Sequence, residues 1–298
     1  MELTIFQVDA FTKKAFGGNP AGVVLDSKKL STEMMQKIAN ELNLSETAFI
    51  KYLGEDKYKI RYFTPICEVD LCGHATIASF YTLAKQNYIK SIENGVKSVK
   101  LVTNNLELDI DIQYKDCQPI SIFMEQARPQ SYGILDSIDE IISTSNLRSY
   151  DIGFNDQKLN PQIISTGLKD LILPINSKEA LDKLEFDMCD LKDLSKKLDV
   201  VGLHAFYLPE FNSKEVYVRN FAPLVGIDEE AATGTANGAL IYYLKTQGLI
   251  ETNQIIANQG ESMNRPSKIY CSIEEKEGGS LVKIGGSANI TIEGILRY

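Results

Sequence analysis

Apolar residues along the chain follow two different periods, and these predict an alternation of strands and helices. Short segments rich in β-branched and aromatic residues, with partial alternation of apolar and polar positions, are typical of strands. In the first part of the chain these segments are 3–11, 21–25, 47–53, 57–63 and 100–114. In the remainder they are 120–125, 162–166, 171–175, 204–208, 215–221, 268–274, 281–286 and 288–296.

Four other segments carry a helical pattern. Ser31 precedes an amphipathic segment that extends to Leu42 and keeps its apolar residues on one face. Segment 178–198 is also helical in pattern, and its many charges indicate a solvated face. Segments 74–86 and 235–247 differ, because apolar residues cover nearly their whole circumference. Such helices are buried in a core rather than laid on a surface.

Three segments recur in the same order in both halves of the chain, which indicates an internal repeat. The pairs are IRYFTP (60–65) with VRNFAP (218–223), CGHATIASFYTL (72–83) with TGTANGALIYYL (233–244) and, more loosely, SETAFI (45–50) with STGLKD (165–170). The alternative is chance similarity among common strand and helix patterns. The repeat predicts two copies of a curved sheet, each wrapped around its own buried helix.

Composition and charge exclude several functional classes. A chain of 298 residues has the length of one large domain or two smaller ones. The net charge of −9 disfavours nucleic acids and anionic membranes as partners. No apolar run approaches the roughly 20 residues of a membrane helix, and the N-terminus reads as a strand rather than a signal peptide. We therefore expect a cytoplasmic protein with its five cysteines reduced. Its two histidines, His74 and His204, argue against a metal cluster.

Each of the two buried helices begins at a glycine, Gly73 in one and Gly234 in the other. The first turn of a helix has unpaired N–H groups and a partial positive charge, and glycine lets a ligand approach that backbone. Two such helix starts facing one another across a cleft would bind a small anion, most naturally a carboxylate. In the first helix the donors include Gly73 and Ala75. The alternative is that the two glycines only relieve crowding.

Motifs spread over the chain resemble those of the phenazine biosynthesis-like (PhzF-like) family. They are FQVDAFTKKAFGGNPAGVVL, LNLSETAFI, IRYFTP-x2-EVDLCGHAT, VRNFAP-x2-GI-x-E-x2-ATGTAN, QG-x2-M-x-RPSKIY and IGGSANI, from about residue 3 to 296. The resemblance implies an α+β, diaminopimelate epimerase-like fold with two pseudosymmetric halves, each a barrel-like mixed sheet around a central helix. We expect a first half at 1–116, completed by a final strand at about 288–298, and a second half at 117–287.

The resemblance also implies which residues form the site. The glutamate of the family's SET-type motif is its general acid/base, and here it is Glu46. That chemistry requires a pKa raised from roughly 4.3 toward neutrality, which burial can supply. His74 matches a histidine that contacts the substrate, and Asn19 matches a position near the cleft.

In its second half the chain departs from the family's usual E-D-P-A-T-G-S motif. Glu230 stands where the family has an aspartate, and Thr235 stands where it has a serine. Both positions contact the substrate in the family. Threonine keeps the hydroxyl, but glutamate adds a methylene, which puts the phenazine substrate itself in doubt.

Racemases and epimerases of the same fold use two cysteines, one at the start of each central helix. Here the first position is Cys72, but its counterpart in the repeat is Thr233. Threonine has no useful acid–base function near neutral pH, so a two-thiol mechanism is disabled. A helix start lowers the pKa of a thiol, which keeps Cys72 a secondary candidate, although we interpret it as a packed residue.

The resulting hypothesis is a cofactor-independent, metal-free isomerase that acts on a small carboxylate-bearing metabolite by proton transfer through Glu46. The resemblance also implies a homodimer with its site in the cleft between the halves. Two alternatives stay open. One is an amino-acid racemase or epimerase, and the other is a binding protein for a small molecule that has lost turnover.

Overall fold

The computed structural model describes residues 2–135, 137–155 and 158–298, and strands alternate with helices along them. The strands are β1 (Glu2–Ala10), β2 (Asn19–Val24), β3 (Glu46–Gly54), β4 (Lys57–Phe63), β5 (Glu68–Val69), β6 (Gly95–Val102), β7 (Glu107–Lys115), β8 (Gln118–Glu125), β9 (Gln130–Ile134), β10 (Gln162–Ser165), β11 (Lys169–Pro174), β12 (Gly202–Tyr207), β13 (Glu215–Ala222), β14 (Ile227–Glu230), β15 (Gln254–Gln259), β16 (Ser267–Lys276), β17 (Gly279–Gly286) and β18 (Ala288–Arg297). The helices are α1 (Thr32–Leu42), α2 (Gly73–Lys85), α3 (Asp139–Ser143), α4 (Lys178–Asp182), α5 (Met188–Leu198) and α6 (Gly234–Thr246). Among the described residues, no helix has both the length and the apolarity to span a bilayer.

The chain divides into two compact units. Unit 1 comprises Met1–Glu125 and Gly285–Tyr298, and unit 2 comprises Gln126–Ile284. Both units mix strands with helices, so the predicted α+β class is confirmed.

In unit 1 the strands surround α2. Hydrogen bonds join β18, β1, β2, β3, β4, β6, β7 and β8 in that order, and the pairs β2/β3 and β4/β6 are parallel. Helix α2 packs against β1, β2, β3, β7, β8 and β18. Ten of its 13 residues are buried, which confirms the buried helix predicted at 74–86.

Unit 2 has a similar arrangement around α6. Here hydrogen bonds join β9, β10, β11, β12, β13, β15 and β16 in that order, and the pairs β11/β12 and β13/β15 are parallel. Helix α6 packs against β10, β11, β15 and β16. Nine of its 13 residues are buried, as the apolar pattern of 235–247 predicted.

The IRYF and VRNF segments of the repeat occupy the same place in their units. In β4, the Arg61 guanidinium forms two hydrogen bonds to Glu68, with Nε–Oε1 at 2.7 Å and Nη2–Oε2 at 2.6 Å. In β13, Arg219 binds Glu229 in the same bidentate way, with both distances 2.9 Å. A planar guanidinium matches a carboxylate in this geometry, which lysine cannot reproduce. The repeated arginine therefore ties each long strand to the short strand that follows it.

The looser pairing of SETAFI with STGLKD is wrong. SETAFI leads into β3, and the strand with the same neighbours in unit 2 is β12, because Ala21 pairs with Glu46 and Asp170 pairs with Gly202 in parallel register. STGLKD instead joins β10 to β11, the counterpart of β2. A short Ser/Thr-x-Gly-like pattern marks a turn beside an apolar strand and does not identify which strand it is.

Two predicted segments are interrupted. Segment 100–114 contains two strands, because the hydroxyl of Thr103 accepts the N–H groups of Asn105 and Leu106 and closes a turn between β6 and β7. Segment 178–198 contains two helices, α4 and α5. Between them Phe186 forms a β-bridge with Ser145, and a new helix begins where the Asp187 carboxylate accepts N–H bonds in its first turn.

The Arg219–Glu229 pair offers a stability test. Both side chains are mostly buried, at 13% and 16% exposure, and Arg219 also donates to the carbonyls of Leu181 and Leu184. We expect Arg219→Gln to lower the free energy of unfolding by about 3 kcal/mol, since it leaves a partly buried carboxylate without its cation. Urea unfolding measures this. Arg297→Gln is the control, because its pair with Glu2 is exposed and is worth under about 0.5 kcal/mol.

Candidate active site

Three of the predicted site residues meet in unit 1, where β2, β3 and the start of α2 lie side by side. Asn19 is the first residue of β2 and Glu46 is the first residue of β3. His74 is the second residue of α2. Parallel pairing of β2 with β3 places the beginnings of both strands at the same edge, next to the helix start.

A glutamate and a histidine form the centre of this group. Oε2 of Glu46 lies 3.1 Å from Nε2 of His74, and the two side chains are 16% and 5% exposed. This oxygen is buried and receives no well-directed hydrogen bond, so the contact is an ion pair by distance only. One lone pair of the Glu46 carboxylate is therefore open to accept a proton.

Both nitrogens of the His74 ring have further polar neighbours. Ser45 Oγ lies 3.4 Å from Nε2, and Asn19 Nδ2 and Cys72 Sγ lie 3.3 and 3.4 Å from Nδ1. An amide nitrogen only donates, so this orientation of Asn19 makes Nδ1 an acceptor and leaves the ring proton on Nε2. If the Asn19 amide is rotated by half a turn, Oδ1 replaces Nδ2 beside the ring. Asn19 then accepts a hydrogen bond from Nδ1–H of the doubly protonated ring.

The expected rise in the pKa of Glu46 is wrong. Burial does act to raise it, but the positive charge of His74, together with the close polar contacts of His74, Ser45 and Cys72, brings the pKa of Glu46 below its ordinary value. The sequence indicated the burial and not the neighbour that outweighs it. Glu46 is consequently a carboxylate at neutral pH, ready to act first as a base.

The pKa values of His74 and Cys72 are both raised above their ordinary values. Burial acts to lower the pKa of His74, but interactions with its neighbours Cys72 and Glu46 hold that pKa well above its ordinary value. Burial, together with the Glu46 carboxylate, raises the pKa of the Cys72 thiol. With the thiol neutral, we attribute the stabilisation of the imidazolium chiefly to Glu46. The resting site is a Glu46 carboxylate paired with a His74 imidazolium.

In unit 2, Glu230 is held by Thr233, the residue in the N-cap position of α6. The Thr233 hydroxyl donates to Glu230 Oε2 at 2.7 Å and accepts from Gln259 Nε2 at 3.1 Å. The Gln259 amide is 1% exposed, and its oxygen accepts from the Thr233 N–H and from Asn237. Sequence reasoning missed Gln259 and Asn237, since an amide in an apolar segment has no distinctive pattern.

The start of α6 also shows why a glycine stands there. A Cβ added at Gly234 would lie 2.9 Å from Ile284 Cδ1, which supports crowding as one reason for this glycine. The carbonyl of Thr235 accepts from the Thr166 hydroxyl at 2.8 Å, which ties the first turn of α6 to the loop before β11.

Unit 2 also buries two titratable groups that the sequence did not assign to the site, His204 and Asp170. His204 is fully buried, and its ring lies 3.3 Å from Asn237 Oδ1 and 3.2 Å from Asn220 Nδ2. Burial lowers the pKa of His204 to about 4, so the ring is neutral. Asp170, on β11, is 4% exposed, and burial together with the charge of Glu230 raises its pKa to about 8.

Comparison with known proteins identifies the family. The model of a family described as "Phenazine biosynthesis-like protein" matches residues 8–294. The chain belongs to this family. A relative from Clostridium acetobutylicum, which carries the name uncharacterized isomerase, is 34% identical over 97% of this chain and 96% of its own length. A PhzF-family protein from Bacillus anthracis has a solved structure that superposes with a TM-score of 0.88 at 26% identity, covering all of both chains.

A more distant structure extends the fold beyond the phenazine biosynthesis-like family. A hydroxyproline epimerase from Agrobacterium vitis superposes with a TM-score of 0.64 at 11% identity, over 99% of this chain and 91% of its own. At that identity the likeness concerns the fold alone. It confirms the predicted diaminopimelate epimerase-like fold, and the named relatives place this member of the family among the isomerases.

Proposed function

We propose that the protein isomerises a small carboxylate-bearing metabolite by moving a proton from one carbon to another through Glu46. The observation that supports this is the buried Oε2 of Glu46, which has no well-directed donor and lies 3.1 Å from Nε2 of His74. A buried carboxylate with an open lone pair beside a helix start is suited to abstract a proton from carbon.

The ion pair explains how one carboxylate serves both halves of the reaction. Glu46 takes a proton from the substrate and becomes neutral, while the His74 imidazolium, without its counter-charge, lies beside the electron-rich substrate. The same positive charge makes the protonated Glu46 a stronger acid, because it favours the carboxylate form. The proton therefore returns readily to a second carbon, and the ion pair is restored.

Binding of the substrate carboxylate is assigned to helix starts. In α2 the first backbone hydrogen bond within the helix runs from Thr76 N to Cys72 O at 3.0 Å, so the N–H groups of Gly73, His74 and Ala75 precede it. Such donors, with the His74 charge beside them, suit an anion. In unit 2 the start of α6, at Gly234 and Thr235, offers donors of the same type and stays a predicted anion site.

The two-thiol alternative finds no support in these contacts. The hydroxyl of Thr233 is engaged with Glu230, and the Cys72 thiol is kept neutral by burial. A racemase that abstracts protons with thiolates needs a low thiol pKa at both positions.

The test is exchange with solvent. We expect the wild-type protein, incubated with metabolite extracts in D₂O, to add deuterium to a carboxylate-bearing species that mass spectrometry detects. Glu46→Gln should leave the same species unlabelled. Labelling that persists in Glu46→Gln would contradict the role of Glu46, and tight binding of a carboxylate without any exchange would favour a binding protein.

The pH dependence of turnover follows from the ion pair. The pKa of Glu46 lies below its ordinary 4.5 and that of His74 lies well above its ordinary 6.5. Activity should therefore be level between pH 4.5 and 6.5, lost at lower pH as Glu46 gains a proton, and lost at higher pH only as pH rises through the raised pKa of His74. A rate profile measured in the presence of a chelator checks this. Activity that increases with pH, with a midpoint near pH 6.5, would contradict a charged His74 in the active protein.

A further inference from the structure

A second property of the Glu46 site comes from the three kinds of ligand atom that it brings together. One oxygen of Glu46, the sulfur of Cys72 and one ring nitrogen of His74 all lie within 4.8 Å of one another. Carboxylate, thiolate and imidazole are the three protein ligands that zinc prefers. Glu46 lies 26 positions before Cys72 and 28 before His74, so the fold brings the carboxylate to the other two ligands.

The distances between these atoms suit a single tetrahedral cation. Zinc bonds of about 2.0–2.3 Å imply ligand-to-ligand distances of roughly 3.3–3.7 Å. His74 Nε2 lies 3.1 Å from Glu46 Oε2 and 3.9 Å from Cys72 Sγ. Small rotations of side chains therefore bring all three to one face of a tetrahedron. The fourth position stays free for water or another ligand.

We propose that Glu46, Cys72 and His74 form a binding site for a thiophilic divalent cation, Zn²⁺ in particular, which occupies the site in place of the Glu46–His74 ion pair. Coordination uses the Cys72 thiolate and unprotonated Nε2 of His74, so their protons leave to solvent as the cation enters. The buried charge balances in both states. The ion pair sums to zero, and so do one carboxylate, one thiolate and a divalent cation.

Burial distinguishes this proposed cation site from the other cysteines of the chain. Cys72 and His74 are 9% and 5% exposed, whereas Cys67, Cys117 and Cys189 are exposed thiols. Asn19 lies 3.3 Å from Nδ1 of His74. Because Nε2 is the coordinating nitrogen, Nδ1 keeps this contact, and a polar partner at the second ring nitrogen orients a ligating ring.

The experiment uses Co²⁺ as a spectroscopic probe, in the full chain carrying Cys67→Ser, Cys117→Ser and Cys189→Ser so that no exposed thiol competes. We expect one Co²⁺ per chain, with a thiolate-to-cobalt charge-transfer band and the visible bands of a tetrahedral site, all displaced by Zn²⁺. Cys72→Ser in this background should abolish the thiolate band and weaken Zn²⁺ binding at least about tenfold.

Cys271→Ser is the matched control, because Cys271 is the other buried thiol and should leave the spectrum unchanged. Glu46→Gln is the second variant. It keeps the thiolate band and weakens Zn²⁺ binding at least about tenfold. Absence of the band at saturating Co²⁺, or a band that persists in Cys72→Ser, would overturn the proposal.

Inhibition by the cation rests on the proposed function, but binding does not. If Glu46 is the base, Zn²⁺ should stop solvent exchange and a chelator should restore it. Binding of Co²⁺ with undiminished exchange supports the cation site and contradicts the role of Glu46. Loss of exchange in Glu46→Gln, without any cation binding in the wild type, overturns the site and leaves the proposed function standing.

Discussion

Replacing Glu46 with glutamine is expected to lower turnover by about 10³–10⁴-fold, near the upper limit for loss of one acid/base group. Glutamine keeps the size and most of the packing of the side chain and cannot carry the transferred proton. The measurement is the rate of deuterium incorporation from D₂O into the labelled metabolite. Glu41→Gln, on the exposed side of α1, is the control and should leave the rate unchanged.

The same variant has a readout that needs no substrate. The chain has only two histidines, so proton NMR can follow each ring separately. In the wild type His74 should stay charged to well above pH 6.5, while His204, whose pKa is about 4, is neutral. In Glu46→Gln, burial is no longer opposed by the carboxylate, and the pKa of His74 should fall. An unchanged titration of His74 would contradict the ion pair.

The sequence predicted the central features of the fold because they depend on local pattern and repetition. The two helices that are apolar all round could only be buried, and each is buried in its unit. The repeated arginine segments were correctly paired, since Arg61 and Arg219 each bind a glutamate on the short strand that follows. Errors arose where pattern continues through a turn. The pattern at 100–114 runs across the Thr103 turn without a glycine or proline to interrupt it.

For the candidate site, the sequence identified several residues but did not show which of them contact one another. Glu46 and His74 were assigned separate roles, and the structure makes them partners at 3.1 Å. The direction of the Glu46 pKa follows from that contact and reverses the expectation from burial alone. Pairing of this kind is set by the parallel register of β2 and β3 against α2, which no local pattern reports.

Asp170 shows the same limit in unit 2. It reads as an ordinary charge in a polar loop before an apolar strand, yet it is 4% exposed. Its strand lies between β10 and β12, so the carboxyl is taken out of water by the sheet rather than by its own neighbours in sequence. Burial and the nearby Glu230 charge hold it in the protonated form, with a pKa of about 8.

Replacing Asp170 with asparagine is therefore expected to stabilise the protein at neutral pH. The folded-state pKa is about 8 against an ordinary 3.8, so the folded protein holds a proton that the unfolded chain has lost. Stability then falls as pH rises from 3.8 toward 8, by up to about 1.4 kcal/mol per pH unit. Asparagine has no proton to lose, but its buried amide costs on the order of 1–2 kcal/mol if it finds no partner. The expected net gain at pH 7 is about 2.5–3.5 kcal/mol.

Urea unfolding at pH 5 and pH 8 separates this effect from a simple change in packing. The gain for Asp170→Asn should be larger at pH 8 and should vanish or reverse at pH 5. At pH 5 the ionisation of Asp170 in the unfolded wild type favours unfolding much less than it does at pH 8. Asp193→Asn, on the exposed face of α5, should change stability by less than about 0.5 kcal/mol at both pH values. Equal destabilisation by Asp170→Asn at both pH values would show that the carboxyl is charged in the folded protein and stabilised there by its surroundings.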